Sequence, residues 1–495
     1  MAKGLSDAKN FIIIYLVSFA FLVSTPYLIE YPVGDEFAYV KQTKLLSEGK
    51  TQPNWLQSTS YLTMLVGMPF IQNQSSVINL RLIMMLIAAI SAPLMYLILR
   101  ELNANKTIAA LASFVLITNP SIALYLRQFI TEPISLPLHV LAILLLVKGI
   151  KTGEGKFFIT ASVVSILGFL NKQIDAIPAL AAFLFLLLHG TRNLPLKPLE
   201  KFFLNSIGVR KKLVIKNLSR NLILAGISVA FTIGFFSYNF LTTGHILSPT
   251  TISSTVSPDA PYAPQFGIKP SHNAFRIIQD IIFLGFMFLP FGLSIKTGTN
   301  QKFISLISVG IAFLAVLSGK SFVFHSNQLL IFFAAAIFAY SGLNLASHII
   351  QNRRSSAVMN FSFIALVGCT LFTIFKINIF LMKYYIVFLP FVLMFLVSKV
   401  KSVVPYILTI VILGGFGLLV TINDIQTYET IWAEVNKLLI SGVAPNDIQG
   451  HPTVVGWLND LVDNIYADYK IKMDKHKIFN DLVDLDSIRV VKIEN

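Results

Sequence analysis

Runs of about 20 apolar residues recur along most of the chain, each long enough to cross a hydrocarbon core of about 30 Å. They predict spans near 11–29, 80–99, 107–126, 133–150, 157–171, 174–190, 221–241, 275–295, 303–319, 327–349, 357–377, 384–399 and 403–422. The fold expected is an all-α polytopic membrane bundle of about thirteen transmembrane helices. Two polar stretches of the first long connection, residues 35–48 and 58–71, mix polar and apolar positions in a way that suits short interfacial helices.

The lengths of the connections set the domain plan. Residues 1–422 form the membrane bundle, and residues 423–495 a small α/β extracytoplasmic C-terminal region. Within the bundle, 30–79 is a first outer loop, 191–220 a basic cytoplasmic loop, and 242–273 a flexible outer loop rich in Ser, Thr, Pro and Gly. The stretch before Phe11 has a basic flank, but the apolar run after it exceeds a signal peptide's core, which predicts an uncleaved first span.

Composition sharpens the class. Charged residues make up 13% of the chain and hydrophobic ones 55%, against about 25% charged in a soluble domain. The formal charge of +15 resides mainly in short connections on alternate sides of the spans, with Lys197, Lys201, Arg210, Lys211, Lys212 and Lys216 facing the single acid Glu200 in the largest of them. That is the positive-inside pattern, and it sets topology rather than announcing nucleic acid. It predicts a multi-pass protein of a prokaryotic plasma membrane rather than the endoplasmic reticulum, with the C-terminus outside. The one cysteine, Cys369, lies in an apolar run and excludes internal disulfides and thiolate metal clusters.

Candidate chemistry collects at the outward ends of the spans, where acids break the hydrophobic pattern and cations break the charge rule. Asp35 and Glu36 follow the first span in YPVGDEFAY. They read either as a carboxylate at the lipid–water boundary or as a helix cap with an acid in the first turn. Glu132, in LRQFITEPISLPL, likewise suits a first turn with Thr131 as its cap and Pro133 tolerated beside it. Arg127, Lys172, Lys320, His325 and Lys383 all fall at outer ends; each can snorkel to headgroups, and together they suit a lipid phosphate. An acid that takes the acceptor's proton and cations that receive a departing phosphate are the elements of transfer from a phosphate-linked donor. The chain contains no G-x-x-x-x-G-K-[ST], H-E-x-x-H or G-x-S-x-G motif.

These residues resemble the GT-C membrane glycosyltransferases, in particular the protein O-mannosyltransferase and aminoarabinose-transferase-like group. The acidic pair opening the first outer loop is similar to Asp35–Glu36, and an arginine followed five residues later by an acid is similar to Arg127 and Glu132. A basic residue at an N-[KR]-x junction resembles Lys172, and an [RK]-Y-x-x-x-x-L-P segment resembles Lys383, Tyr384 and Pro390. The resemblance implies a GT-C-like fold, a polyprenyl-phosphate-linked sugar donor, inverting transfer to an extracytoplasmic protein, lipid or glycan acceptor, and no nucleic acid partner. It makes Asp35 the base, with Glu132 as the second catalytic acid. It gives substrate binding to Glu36, Arg127, Lys172, Lys383 and Tyr384, to which the outer cations add His325. No cofactor is firmly implied, and a divalent metal is left open. Many relatives carry Lys-Pro-Pro where this chain has Gln57 to Tyr61. The alternatives are a lipid-linked oligosaccharide polymerase or ligase, a polytopic transporter or flippase, and a scaffold whose outer acids are caps.

Overall fold

The computed structural model describes residues 2–25, 30–33, 36–49, 60–71, 76–190, 217–243, 270–295, 301–317, 328–375, 382–444, 448–449, 469–473 and 488–492. The basic connection over 191–216 and the Ser/Thr/Pro-rich stretch over 244–269 lie outside them.

The first helices are α1 (Ala2–Val23), α2 (Glu36–Ser47), α3 (Tyr61–Gly67), α4 (Ser76–Ala89), α5 (Ser91–Glu101), α6 (Lys106–Thr118) and the short α7 (Pro120–Ala123). Then come α8 (Glu132–Thr152), α9 (Gly155–Asn171), α10 (Ile177–Gly190), α11 (Leu218–Thr243), α12 (Pro270–Met287) and α13 (Leu289–Ser294). The bundle closes with α14 (Gln301–Leu317), α15 (Gln328–Asn352), α16 (Ala357–Phe375), α17 (Leu389–Lys399) and α18 (Val404–Ile440). Three short strands follow, β1 (Ile448–Gln449), β2 (Tyr469–Met473) and β3 (Ile488–Lys492). They form a sheet in that order, β1 parallel to β2 and β2 antiparallel to β3.

Six segments among the described residues are long and apolar enough to cross a membrane, including Val77–Glu101, Glu132–Thr152 and Val404–Ile440. Large apolar side chains such as Ile12, Leu16, Ile223 and Leu306 stand exposed on the helices, as a lipid-facing surface requires. The chain is a multi-pass membrane protein. The two helices expected in the first outer loop are present as α2 and α3, the latter continued by a 3-10 turn over Met68–Phe70.

Several expected spans are broken near a proline. The run 107–126 ends as a helix at Thr118, because Pro120 offers no N–H and forces Asn119 into an extended conformation (ψ 126°). Pro93 and Pro290 likewise lack an N–H and sit in the first turn after a helix boundary, without an extended residue before them. Ile90, between α4 and α5, stays in the helical region, and Val77–Glu101 still serves as one membrane-crossing segment, while Phe288 marks the boundary between α12 and α13. In the other direction, the last expected span does not stop at residue 422: α18 runs 37 residues, to Ile440. Its extension keeps one apolar face, Tyr428, Ile431, Trp432 and Val435, which packs with Val33 in a cluster separate from the main core.

Polar contacts sort the helix ends into two sets. At one end, Tyr96 donates to Asp7 at 2.9 Å, Lys151 pairs with Glu101 at 2.7 Å, and Asn221 donates to the Gly153 carbonyl at 3.1 Å. Gly153, at φ +72°, closes α8 there in the left-handed conformation that glycine adopts without strain. Lys106, Lys151 and Lys156 belong to this end, and Glu132 and Lys172 stand at the opposite ends of α8 and α9.

Small residues let α12 and α15 cross in close contact. A Cβ on Gly285 of α12 would lie 1.7 Å from the Phe338 carbonyl oxygen, and one on Gly342 of α15 would lie 2.1 Å from that of Ile281. Ser341 donates to the Gly285 carbonyl at 3.1 Å and Asn344 to that of Gly292 at 3.2 Å, so the approach is secured by hydrogen bonds between helices. Gly342→Val is expected to lower the midpoint of thermal unfolding in detergent, with a cost of about 1–3 kcal/mol or more. Gly234→Ala, where nothing lies within 4 Å, should leave it within error; equal midpoints for the two variants would contradict the crossing described.

Candidate functional site

The N-terminus of α2 is organised around one carboxylate. Glu36 is fully buried, and Arg81 of α4 grips it with two nitrogens: Nη2 donates to Oε2 at 2.6 Å and Nε to Oε1 at 2.9 Å. The Phe129 N–H donates to Oε1 at 2.6 Å and the Val33 N–H to Oε2 at 2.8 Å. Glu36 N–H in turn donates to the Val33 carbonyl at 3.0 Å, so the carboxylate's bond from the Val33 N–H is the acidic half of a capping box. Arg81 also donates to the Tyr31 carbonyl at 2.8 Å. Four protein donors thus saturate Glu36, and they come from three separate stretches of chain. Both oxygens of Glu36, which the sequence suggested for substrate binding, are thus engaged by protein donors.

The segment leading into this carboxylate is clamped from the other side by α18. The Tyr31 and Trp432 rings stack with centroids 4.5 Å apart, Trp432 Nε1 donates to the Pro32 carbonyl at 3.1 Å, and Tyr31 hydroxyl to Asn436 at 3.2 Å. Positions 31–33 are therefore fixed by Arg81 on one flank and by the helix extension on the other. Asp35 lies outside the described residues, as do Lys320 and His325; Lys383 and Tyr384 belong to a 3-10 helix, Met382–Val387, without described side chains.

Arg127 is also fully buried, and its guanidinium faces backbone oxygens. Nε donates to the Leu22 carbonyl and Nη2 to that of Phe21, each at 3.0 Å, and Nη1 to the Ala123 carbonyl. The group also lies 5.0 Å from the Phe21 ring centroid. Carbonyls in the last turn of α1 lack helical partners and carry the negative end of its dipole, so a buried arginine satisfies them. Arg127, which the sequence suggested for a phosphate contact, thereby bridges the end of α1 and α7.

Glu132 and Lys172 come together as expected for residues of one site, and they do so as an ion pair with side chains 2% and 12% exposed. The Thr131 hydroxyl donates to Glu132 Oε2 at 3.0 Å. That replaces the expected cap on α8, because Thr131 is itself in the helical region and makes no side-chain cap bond. Beside the pair, Asn171 uses both ends of its amide: Oδ1 accepts from the Thr63 N–H at 3.1 Å and hydroxyl at 2.8 Å, and Nδ2 donates to the Thr131 carbonyl at 2.9 Å and Ser135 at 3.1 Å. One side chain thereby joins the first outer loop to the start of α8 and the end of α9.

Two further acids inside expected spans, Asp175 and Asp280, extend the same polar end. Asp175 lies 3.5 Å from His139 of α8, both 1% exposed. Asp280 of α12 accepts hydrogen bonds from Thr373 at 2.8 Å and from Tyr385. Thr373 is two residues from the end of α16 and Tyr385 sits in the 3-10 helix that carries Lys383, so Asp280 belongs to the same half of the bundle. That 3-10 helix packs on α7 and α8. Arg81, Asn171, His139, Asp175 and Asp280 were all missed as candidates. The signal for them was available: a polar or ionisable residue inside an apolar run is costly and needs a reason. Among the described residues, no three His, Cys, Asp or Glu side chains converge as a metal site.

Residues 59–207 match the family model described as dolichyl-phosphate-mannose-protein mannosyltransferase. The matched stretch contains Arg81, Arg127, Glu132, Asn171 and Lys172, and the chain resembles the GT-C glycosyltransferases there in sequence. No curated protein matches the chain. Among solved structures, it is similar at 15% identity and a TM-score of 0.33 to the archaeal oligosaccharyltransferase AglB from Archaeoglobus fulgidus, in complex with an inhibitory peptide and a dolichol-phosphate. That match covers 79% of this chain and 56% of AglB, so the chain spans about half the length of that structure. It is similar at 13% and 0.35 to the arabinosyltransferase EmbB from Mycobacterium smegmatis, covering 83% of this chain and 40% of that one. It is similar at 12% and 0.35 to ArnT from Cupriavidus metallidurans bound to undecaprenyl phosphate, covering 80% and 77%.

Removing one member of a buried ion pair strands the other. Arg81→Met is expected to cost about 3–5 kcal/mol, and Arg81→Met with Glu36→Gln to cost clearly less than the sum of the two single changes. A double-mutant cycle on thermal or denaturant unfolding measures this, and strict additivity would show that the pair carries no coupling.

Proposed function

We propose that this chain is a membrane glycosyltransferase that moves a sugar from a polyprenyl-phosphate donor to a hydroxyl of an extracytoplasmic acceptor, with inversion, and with Asp35 as base. The observation that carries this reading is the saturation of Glu36 by Arg81, Phe129 and Val33. Of the adjacent acids, one is spent on holding the chain, which leaves Asp35 for proton work.

In this reading Asp35 takes the proton from the acceptor hydroxyl as its oxygen attacks the anomeric carbon. The bond from that carbon to the phosphate oxygen breaks on the opposite face, and the lipid phosphate departs as an anion, so no general acid is required. Lys172 and Lys383 receive that charge. Glu132, rather than acting on substrate, holds Lys172 at the mouth of the site; the ion pair between them supports this. The donor class agrees with the matched family's description, whose dolichyl-phosphate-mannose is a lipid phosphate sugar.

Activity in detergent with a synthetic polyprenyl-phosphate sugar tests the roles separately. Asp35→Asn is expected to lower kcat by about 10²–10⁴ with little change in donor KM. Lys172→Gln should instead raise donor KM, and Glu132→Gln should shift it in the same direction by less. An Asp35→Asn enzyme as fast as the unaltered one would remove the base assignment. Turnover of a pyrophosphate-linked oligosaccharide but not of the monophosphate sugar would favour the polymerase or ligase reading.

A further inference from the structure

A cavity of about 460 Å³ opens at the basic end of the bundle, opposite the candidate site. His348, Gln351 and Asn352 from the last turns of α15 line it together with Lys399, Lys401 and Ser402 from the α17–α18 connection. Its described lining carries two lysines and no carboxylate. The Asn352 amide lies 3.2 Å from His348 Nδ1 and donates to the His348 carbonyl at 2.8 Å, so the floor is ordered by its own hydrogen bonds. Pro405 of α18 also lines it, so the positive end of a 37-residue helix faces the space.

The surroundings are apolar. Leu293, Ile350, Val404 and Ile407, on the helices that end at this cavity, are all exposed, between 45% and 55%. A cationic, amide-lined recess whose rim continues into exposed aliphatic side chains is suited to a molecule with an anionic head and hydrocarbon tails. A soluble anion would use the recess and leave the rim bare.

We propose that this recess binds the phosphate headgroup of an anionic phospholipid of the surrounding membrane, with the acyl chains lying along α13, α15 and α18. Lys399 and Lys401 supply the charge, Ser402 and the Gln351 amide supply hydrogen bonds, and the site is independent of the sugar-transfer chemistry proposed above. Basic pockets between membrane helices are general binding places for such headgroups.

The test uses the purified full-length protein and three probes: phosphatidylglycerol, phosphatidylcholine and inorganic phosphate. Native mass spectrometry and thermal unfolding in detergent provide the readouts. The unaltered protein is expected to retain phosphatidylglycerol and be stabilised by it, and to ignore phosphatidylcholine and millimolar phosphate. Lys399→Gln with Lys401→Gln should weaken phosphatidylglycerol retention by about tenfold or more. Lys151→Gln with Lys156→Gln, at the same end but outside the recess, should weaken it far less. Equal loss in the two double variants, or none in the first, would overturn the site. Stabilisation by inorganic phosphate as strong as that by phosphatidylglycerol would overturn the lipid as its occupant.

Discussion

A carboxylate placed inside a membrane bundle must be neutralised and hydrogen-bonded on the spot, since desolvation costs several kcal/mol per ion even after relaxation. Glu36 meets that demand with Arg81 and two backbone N–H groups. Because those partners belong to α4, to the turn before α8 and to the segment before α2, satisfying one charge fixes three pieces of chain against one another. The candidate site is built on that fixed point.

From it the order spreads by short steps. Phe129, held by Glu36, lies between Arg127, which ends α1, and Glu132, which opens α8 and pairs with Lys172. Asn171 beside Lys172 returns to Thr63 in the first outer loop, closing a ring of contacts around one end of the bundle. The α18 extension braces the same place through Trp432 and Tyr31. Reactive groups placed on such a frame are pre-organised, which is what positioning a lipid phosphate and an acceptor hydroxyl demands.

The sequence was informative where one physical term dominates. Hydrophobic length announced a multi-pass bundle, and six of the segments it marked are long and apolar enough to cross a membrane among the described residues. Window averages could not register single prolines, so the breaks at Pro93, Pro120 and Pro290 were absorbed into longer spans. The α18 extension had a readable signal, since Tyr428, Ile431, Trp432 and Val435 repeat at helical spacing, but its polar face removed it from a hydropathy window. Within the site, the proximity of Glu132 and Lys172 followed from their shared membrane side. The protein contacts of Glu36 and Arg127 did not, because only the structure counts the oxygens and donors around each. Arg81 was hidden by the apolar run in which it sits. It was nonetheless a cation on the wrong side for topology, and that conflict was its signature.

On the function proposed above, this braced end receives the donor phosphate. An experimental structure of the full chain with a polyprenyl phosphate bound tests it directly. Phosphate density is expected within about 4 Å of Lys172 Nζ, with the Glu36–Arg81 pair unchanged behind it. A phosphate seated away from Lys172, or only at the opposite, basic end of the bundle, would contradict it.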